Sequence, residues 1–127
     1  MGAHVLIADD SAAMRALIMR YLKMAGLPIE SFQEAEDGKA ALRLLEGGGL
    51  DLAIVDIGMP GMNGLDLLEQ VRKNPAIART AFIFASCESN PARIEEFLKT
   101  GVGFVHKPII PNELVDAVQT ALKTLPH

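Results

Sequence analysis

His4-Val5-Leu6-Ile7-Ala8-Asp9-Asp10 is an apolar run closed by two carboxylates. Leu52-Ala53-Ile54-Val55-Asp56 repeats the arrangement with one carboxylate, and Gly103-Phe104-Val105-His106 is closed by Lys107-Pro108. Near-continuous apolar runs of this length read as strands buried on both faces, as in a parallel sheet covered by helices. Ligands of such open sheets bind beyond the carboxyl ends of the strands. Charges that close three strands therefore meet at one edge. Neighbouring carboxylates repel unless a cation lies among them, and an all-oxygen donor set suits a hard metal.

Outward from these runs the chain alternates strand with helix five times. Met14, Leu17, Ile18, Tyr21 and Ala25 recur at helical spacing, with Arg15, Arg20 and Lys23 on the opposite side. Ser11 or Asp10 caps that helix, and Gly26 with Pro28 ends it. Ile29 to Ala35 mixes charged and apolar residues, as an edge strand does. A second helix carries Ala41, Leu44 and Leu45 and stops at Gly47-Gly48-Gly49. Gly58, Pro60, Gly61, Asn63 and Gly64 form a loop after Asp56. Leu65, Leu68 and Val71 mark a third helix, and Thr80 to Ala85 is the fourth strand. Asn90-Pro91 opens a fourth helix with inner residues Ile94, Phe97 and Leu98. Pro111 opens the last, with Leu114, Val118, Ala121, Leu122 and Leu125 inside. Right-handed crossovers and a doubly wound order 2-1-3-4-5 place the first and third strands side by side, which sets Asp9 and Asp10 against Asp56.

Composition narrows the function. At 127 residues, half of them apolar, the chain fits a single domain over 1–127 with a real core. A net charge of −4 offers no basic footprint for nucleic acid. The lone Cys87 fits a reducing cytosol, and no apolar run approaches the ~18 residues of a membrane span. A cytoplasmic protein with no membrane insertion is expected.

Asp9-Asp10, Asp56 followed by Met59-Pro60 and Gly64, Ser86 after the fourth strand, and Lys107-Pro108 resemble, in order and spacing, a receiver domain of bacterial two-component signalling. The resemblance runs the whole length and is strongest to single-domain response regulators of the chemotaxis type. It implies a flavodoxin-like α/β fold with a five-stranded parallel sheet and five helices. It also implies a switch that is not an enzyme in the ordinary sense, although it assists its own phosphorylation and dephosphorylation. Asp56 is the implied phosphoacceptor, since a carboxylate oxygen can attack phosphorus to give an acyl phosphate. Asp9, Asp10, Asp56 and the backbone carbonyl of Gly58 are the implied Mg²⁺ ligands, a sparse set of the kind Mg²⁺ accepts. Lys107 and Ser86 would bind the phosphoryl oxygens, and Phe104 would change packing on activation. The implied donor is a sensor histidine kinase or a histidine phosphotransfer protein. Output is expected through an unidentified protein at the face of helix 4, strand 5 and helix 5, because only Pro126 and His127 follow the last helix.

Departures from the commoner family pattern lie at Gly58 and Cys87, which with Glu88 are read as positions that tune the rates, and at Ile109-Ile110, read as an apolar patch. Cys87 is expected to fill core volume rather than to sense redox state, since free cysteines are usually buried. Two other readings compete. A Mg²⁺-dependent phosphohydrolase similar to haloacid dehalogenases would place an Asp-x-Asp pattern on the first strand and carry a cap, whereas this chain has Asp9-Asp10 and no insertion for one. A degenerate receiver used as a scaffold would not need the intact acidic set and Lys107.

Overall fold

A computed structural model describes residues 2–125. Ten elements alternate: β1 (Ala3–Ala8), α1 (Ala12–Met24), β2 (Ile29–Ala35), α2 (Gly38–Glu46), β3 (Leu52–Asp56), α3 (Gly64–Lys73), β4 (Ala81–Ser86), α4 (Pro91–Lys99), β5 (Gly103–His106) and α5 (Pro111–Lys123). All strand pairs are parallel and the order is β2-β1-β3-β4-β5, the order that the strand–helix alternation and the family resemblance together imply. Pro126 and His127 lie outside the described residues. No helix among those described is long and apolar enough to cross a membrane.

Successive strand residues point to opposite faces, and the core divides accordingly. Leu6, Ala8, Ala53, Val55, Phe82 and Phe84 enter one cluster, covered by Ala41, Leu45, Leu67, Val71 and Phe97. Val5, Ile7, Leu52, Ile54, Ile83 and Ala85 enter the other, covered by Ile18, Leu22, Leu114 and Val118. Helices α2, α3 and α4 therefore lie on one face of the sheet, and α1 and α5 on the other. Phe84 is fully buried, edge-on to both Phe82 and Phe97. Truncating such a ring to alanine typically costs about 3–5 kcal/mol. The weak strand, β2, is the half-exposed edge expected of it.

Two helix faces differ from the sequence reading. In α1 the buried residues are Ile18 and Leu22, while Ala25 is exposed beyond the last turn. Leu98 in α4 is 48% exposed, so that short helix buries Phe97 alone. A helix seated near the sheet edge has a narrow contact, and a third apolar residue on its inner face finds no sheet beneath it.

Local chemistry sets the ends that matter. Ser11 caps α1 by accepting from the Met14 N–H, and Asn90 caps α4 from its side chain with Pro91 next. Asn63 and Asp66 form a reciprocal capping box at α3. Gly64 fits because a Cβ there would meet Ile57 Cα at 3.0 Å and Asp56 O at 3.1 Å. The α3 terminus can thus close tightly on the end of β3. Met59, 3% exposed, anchors the intervening loop in the core.

Candidate functional site

The parallel register carries the acidic residues to one edge. Ala8 pairs with Val55, so the residues that follow, Asp9 and Asp56, emerge side by side. The Asp9 N–H still continues the ladder to Ala35 O at 3.0 Å, which holds its side chain over the sheet end. On the other side Asp56 pairs with Ala85 and Ser86 with His106. The Lys107 N–H donates to Ser86 O at 2.9 Å, tying the two strand ends together. The Lys107–Pro108 bond that follows is cis.

Asp9 is 1% exposed, yet both its oxygens have partners. Oδ1 accepts from the Ser11 N–H at 2.9 Å, and Oδ2 accepts from Lys107 Nζ at 2.9 Å. The same ammonium lies 3.4 Å from Asp56 Oδ1, which also accepts from the Gly58 N–H at 3.1 Å. Lys107 therefore reaches across the end of β4 to bridge two carboxylates, at the ends of β1 and β3. Burial pulls its pKa down, but the hydrogen bond to Asp9 and attraction from Asp56 outweigh that, and the net shift is upward. The ammonium is firmly charged.

Asp10 is exposed and completes the acidic set: one ligand oxygen from each of Asp9, Asp10 and Asp56 lies within 4.8 Å of the others. The donors are all hard oxygens, and the Asp10 carboxylate lies open to solvent beside two partly neutralised neighbours. Such a set fits a divalent cation that retains several waters. It can hold a metal.

Ser86 is half-buried, and its Oγ accepts from the Glu88 N–H at 3.1 Å, a turn that opens the loop into α4. Glu88 continues this loop: its Oε2 accepts from Ser89 and Asn90 N–H at 3.2 and 3.3 Å, and its Oε1 pairs with Arg93 at 3.3 Å. Its carboxylate is committed to the loop. Phe104 is half-buried, stacked on Phe97 at 6.1 Å and edge-on to His106 at 4.9 Å. Around Gly58 there is open space, since a Cβ would meet only Asp56 Oδ1 at 3.8 Å.

Cys87 corrects the sequence expectation: it is exposed, so it does not fill the core. The chain leaves β4 at Ser86, and the next side chain belongs to a loop at the sheet edge, not to a layer between helix and strand. The Ile109-Ile110 patch is likewise half as large as expected, because Ile109 is buried and only Ile110, 50% exposed, faces outward. Helical period places Arg15 on the side opposite the apolar stripe of α1. The side chain turns back instead, donating from Nη1 to Asp9 O and from Nε to Glu34 at 3.0 Å. A long side chain on a polar helix face carries no periodic signal of this reach.

Residues 5–119 match the family described as "Response regulator receiver domain". The chain belongs to that family. It is a phosphorylation-switched receiver of two-component signal transduction. The chain is 34% identical to the chemotaxis protein CheY of Pseudomonas aeruginosa over 116 residues, covering 91% of this chain and 92% of the relative. Chemotaxis protein CheY-3 of Vibrio cholerae is 31% identical over 122 residues, with 95% and 92% covered. Among solved structures, the receiver domain of the Francisella response regulator 1452 superposes with a TM-score of 0.84 at 30% identity, covering 96% of this chain and 98% of that one.

Proposed function

We propose that residues 1–127 work as one receiver unit that takes a phosphoryl group on Asp56 from a phosphohistidine of a sensor kinase or phosphotransfer protein. The observation that carries this reading is the Lys107 ammonium between Asp9 and Asp56, with three carboxylates gathered beyond the sheet. An Asp56 oxygen attacks phosphorus, the P–N bond of the donor breaks, and the leaving imidazole recovers a proton. The product is an acyl phosphate. Phosphoryl transfer depends on positioning and on neutralising charge at the equatorial oxygens. Lys107 supplies a cation on one side, and the Ser86 hydroxyl, whose oxygen accepts from the Glu88 N–H, keeps its own proton to donate to a phosphoryl oxygen. Asp9, Asp10, Asp56 and the Gly58 carbonyl would hold Mg²⁺, which when bound offsets charge on the phosphoryl oxygens. Open space at Gly58 suits approach of water to Asp56, and so a self-catalysed return to the resting state. Gly58 and the exposed Cys87 are the positions at which substitution would tune that rate, whereas Glu88 would act through the loop it ties.

Drawing Ser86 and Lys107 toward a phosphoryl group would pull on β4, β5 and the loops into α4 and α5. Phe104 stacks on α4 and lies in β5, so its repacking would carry the change to the α4-β5-α5 face, where an output protein docks. Similarity to chemotaxis proteins supports a cytoplasmic role in directing motility.

Labelling with acetyl phosphate in Mg²⁺ tests the assignment. Wild-type protein should take up about one hydroxylamine-sensitive phosphate per chain, and Asp56→Asn, nearly isosteric but not nucleophilic, should take up none. Undiminished labelling of the variant moves the acceptor elsewhere, and many turnovers of a specific metabolite would favour a phosphohydrolase.

A further inference from the structure

Beside β5 an open groove of about 460 Å³ runs along α5, lined by Gly103, Phe104, His106, Glu113, Asp116, Ala117 and Thr120. Its helical wall is a single stripe, since positions 113, 116, 117 and 120 recur at three and four residues on one face. The small Ala117 leaves room beside the Phe104 and His106 rings, which meet edge-on at 4.9 Å. Two carboxylates line the groove, and no lysine or arginine does.

Glu113 has a local reason to be acidic, because it lies in the first turn of α5 and complements the helix dipole. Asp116 lies beyond that turn and gains nothing comparable. Among the described residues neither carboxylate has a cation within ion-pair distance, and at a three-residue spacing they repel one another. On α4 the charges do not offset them: Arg93 is committed to Glu88 and to the Phe97 ring, and Lys99 is outnumbered on its own helix by Glu95 and Glu96. The elements flanking β5 also carry Leu98 and Ile110, two of the exposed large apolar residues of the chain.

We propose that this groove takes a cationic segment of the output protein: an amphipathic helix whose lysines or arginines face Glu113 and Asp116 while an aliphatic residue packs on Phe104 beside Ala117. The proposal rests on the α4-β5-α5 face being the response surface, and adds the chemistry of what that surface accepts. An unpaired acidic wall beside an apolar floor favours cations and repels acidic segments, so it selects by charge as well as by fit.

Two synthetic amphipathic helices of equal apolar content, one with lysine and one with glutamate on the polar face, test it by NMR titration of the whole chain. The titrations are run with and without beryllofluoride. The lysine peptide should shift the resonances of Phe104, His106, Ala117 and Thr120, and the glutamate peptide should not. Glu113→Lys with Asp116→Lys should weaken the lysine peptide about tenfold or more and admit the glutamate peptide, with the fold retained and the denaturant midpoint lowered only by the lost interaction of Glu113 with the helix dipole. Preference for the glutamate peptide in the wild type, no binding of the lysine peptide at millimolar concentration, or indifference to charge reversal overturns the proposal. A charge preference that is the same with and without beryllofluoride upholds the groove's chemistry and counts instead against the switch at this face.

Discussion

Replacing Lys107 by methionine keeps the aliphatic stem and removes the charge that bridges Asp9 and Asp56. The Lys107 side chain is 15% exposed, and those of Asp9 and Asp56 are 2% and 12% exposed. Their contacts, at 2.9 and 3.4 Å, therefore lie in an environment far drier than surface pairs, which contribute roughly 0–1 kcal/mol. Removing one partner of a buried pair leaves the other uncompensated and costs about 3–5 kcal/mol. The lower end applies here, because the Ser11 N–H still holds Asp9 and protonation of a carboxylate limits the loss. A cost of about 3 kcal/mol against an unfolding entropy near 2.1 cal/mol/K per residue lowers Tm by roughly 10 °C for a chain of this length. Thermal unfolding in EDTA measures that loss. Repeating it in millimolar Mg²⁺ measures what the ammonium was replacing, since a divalent cation among the same oxygens restores the missing charge. The variant should therefore gain more Tm from Mg²⁺ than the wild type, whose lysine competes for the site. A loss within 1 kcal/mol in EDTA would show the bridge to be no stronger than a surface pair. A Mg²⁺ gain no larger than that of the wild type would refute the idea that ammonium and metal share the carboxylates.

Lys107 titrates above its ordinary range, so its stabilising contribution should be complete below the unfolded value of about 10.4 and lost as pH rises through the higher folded one. Denaturant midpoints between neutral and strongly alkaline pH should fall there in the wild type, and less in Lys107→Met. Gly38→Ala should destabilise by about 1–3 kcal/mol, since the new Cβ would press on the Met62 carbonyl oxygen and meet Met62 Cβ at 2.7 Å. An ordinary helical Gly→Ala gain of about 1 kcal/mol in a urea titration would show that the loop simply yields. Cys87→Ala should stay within about 0.5 kcal/mol of wild type, and the native thiol should react readily with Ellman's reagent; a protected thiol or a larger loss would contradict its exposure.

The element order, the parallel sheet and the charged strand ends were legible in the chain because each depends on local periodicity. A run such as Val5-Leu6-Ile7-Ala8 has few choices but a buried strand, and the first carboxylate after it marks where the strand ends. Caps at Ser11 and Asn90 are equally local, a side chain reaching a backbone N–H within three residues. The exposure of Cys87 and Leu98 was not legible, since it depends on whether another layer of the fold happens to lie above them. Nor was the reach of Arg15 to the Asp9 carbonyl, or of Lys107 across 98 residues to the Asp9 carboxylate. Sequence by itself determined which residues carry charge to the carboxyl edge of the sheet. Only the tertiary structure decided how those charges are shared, with one ammonium satisfying two carboxylates and the third left to solvent. Hydrophobic pattern is written residue by residue, whereas the balance of burial against charge exists only once distant strand ends share a dry space.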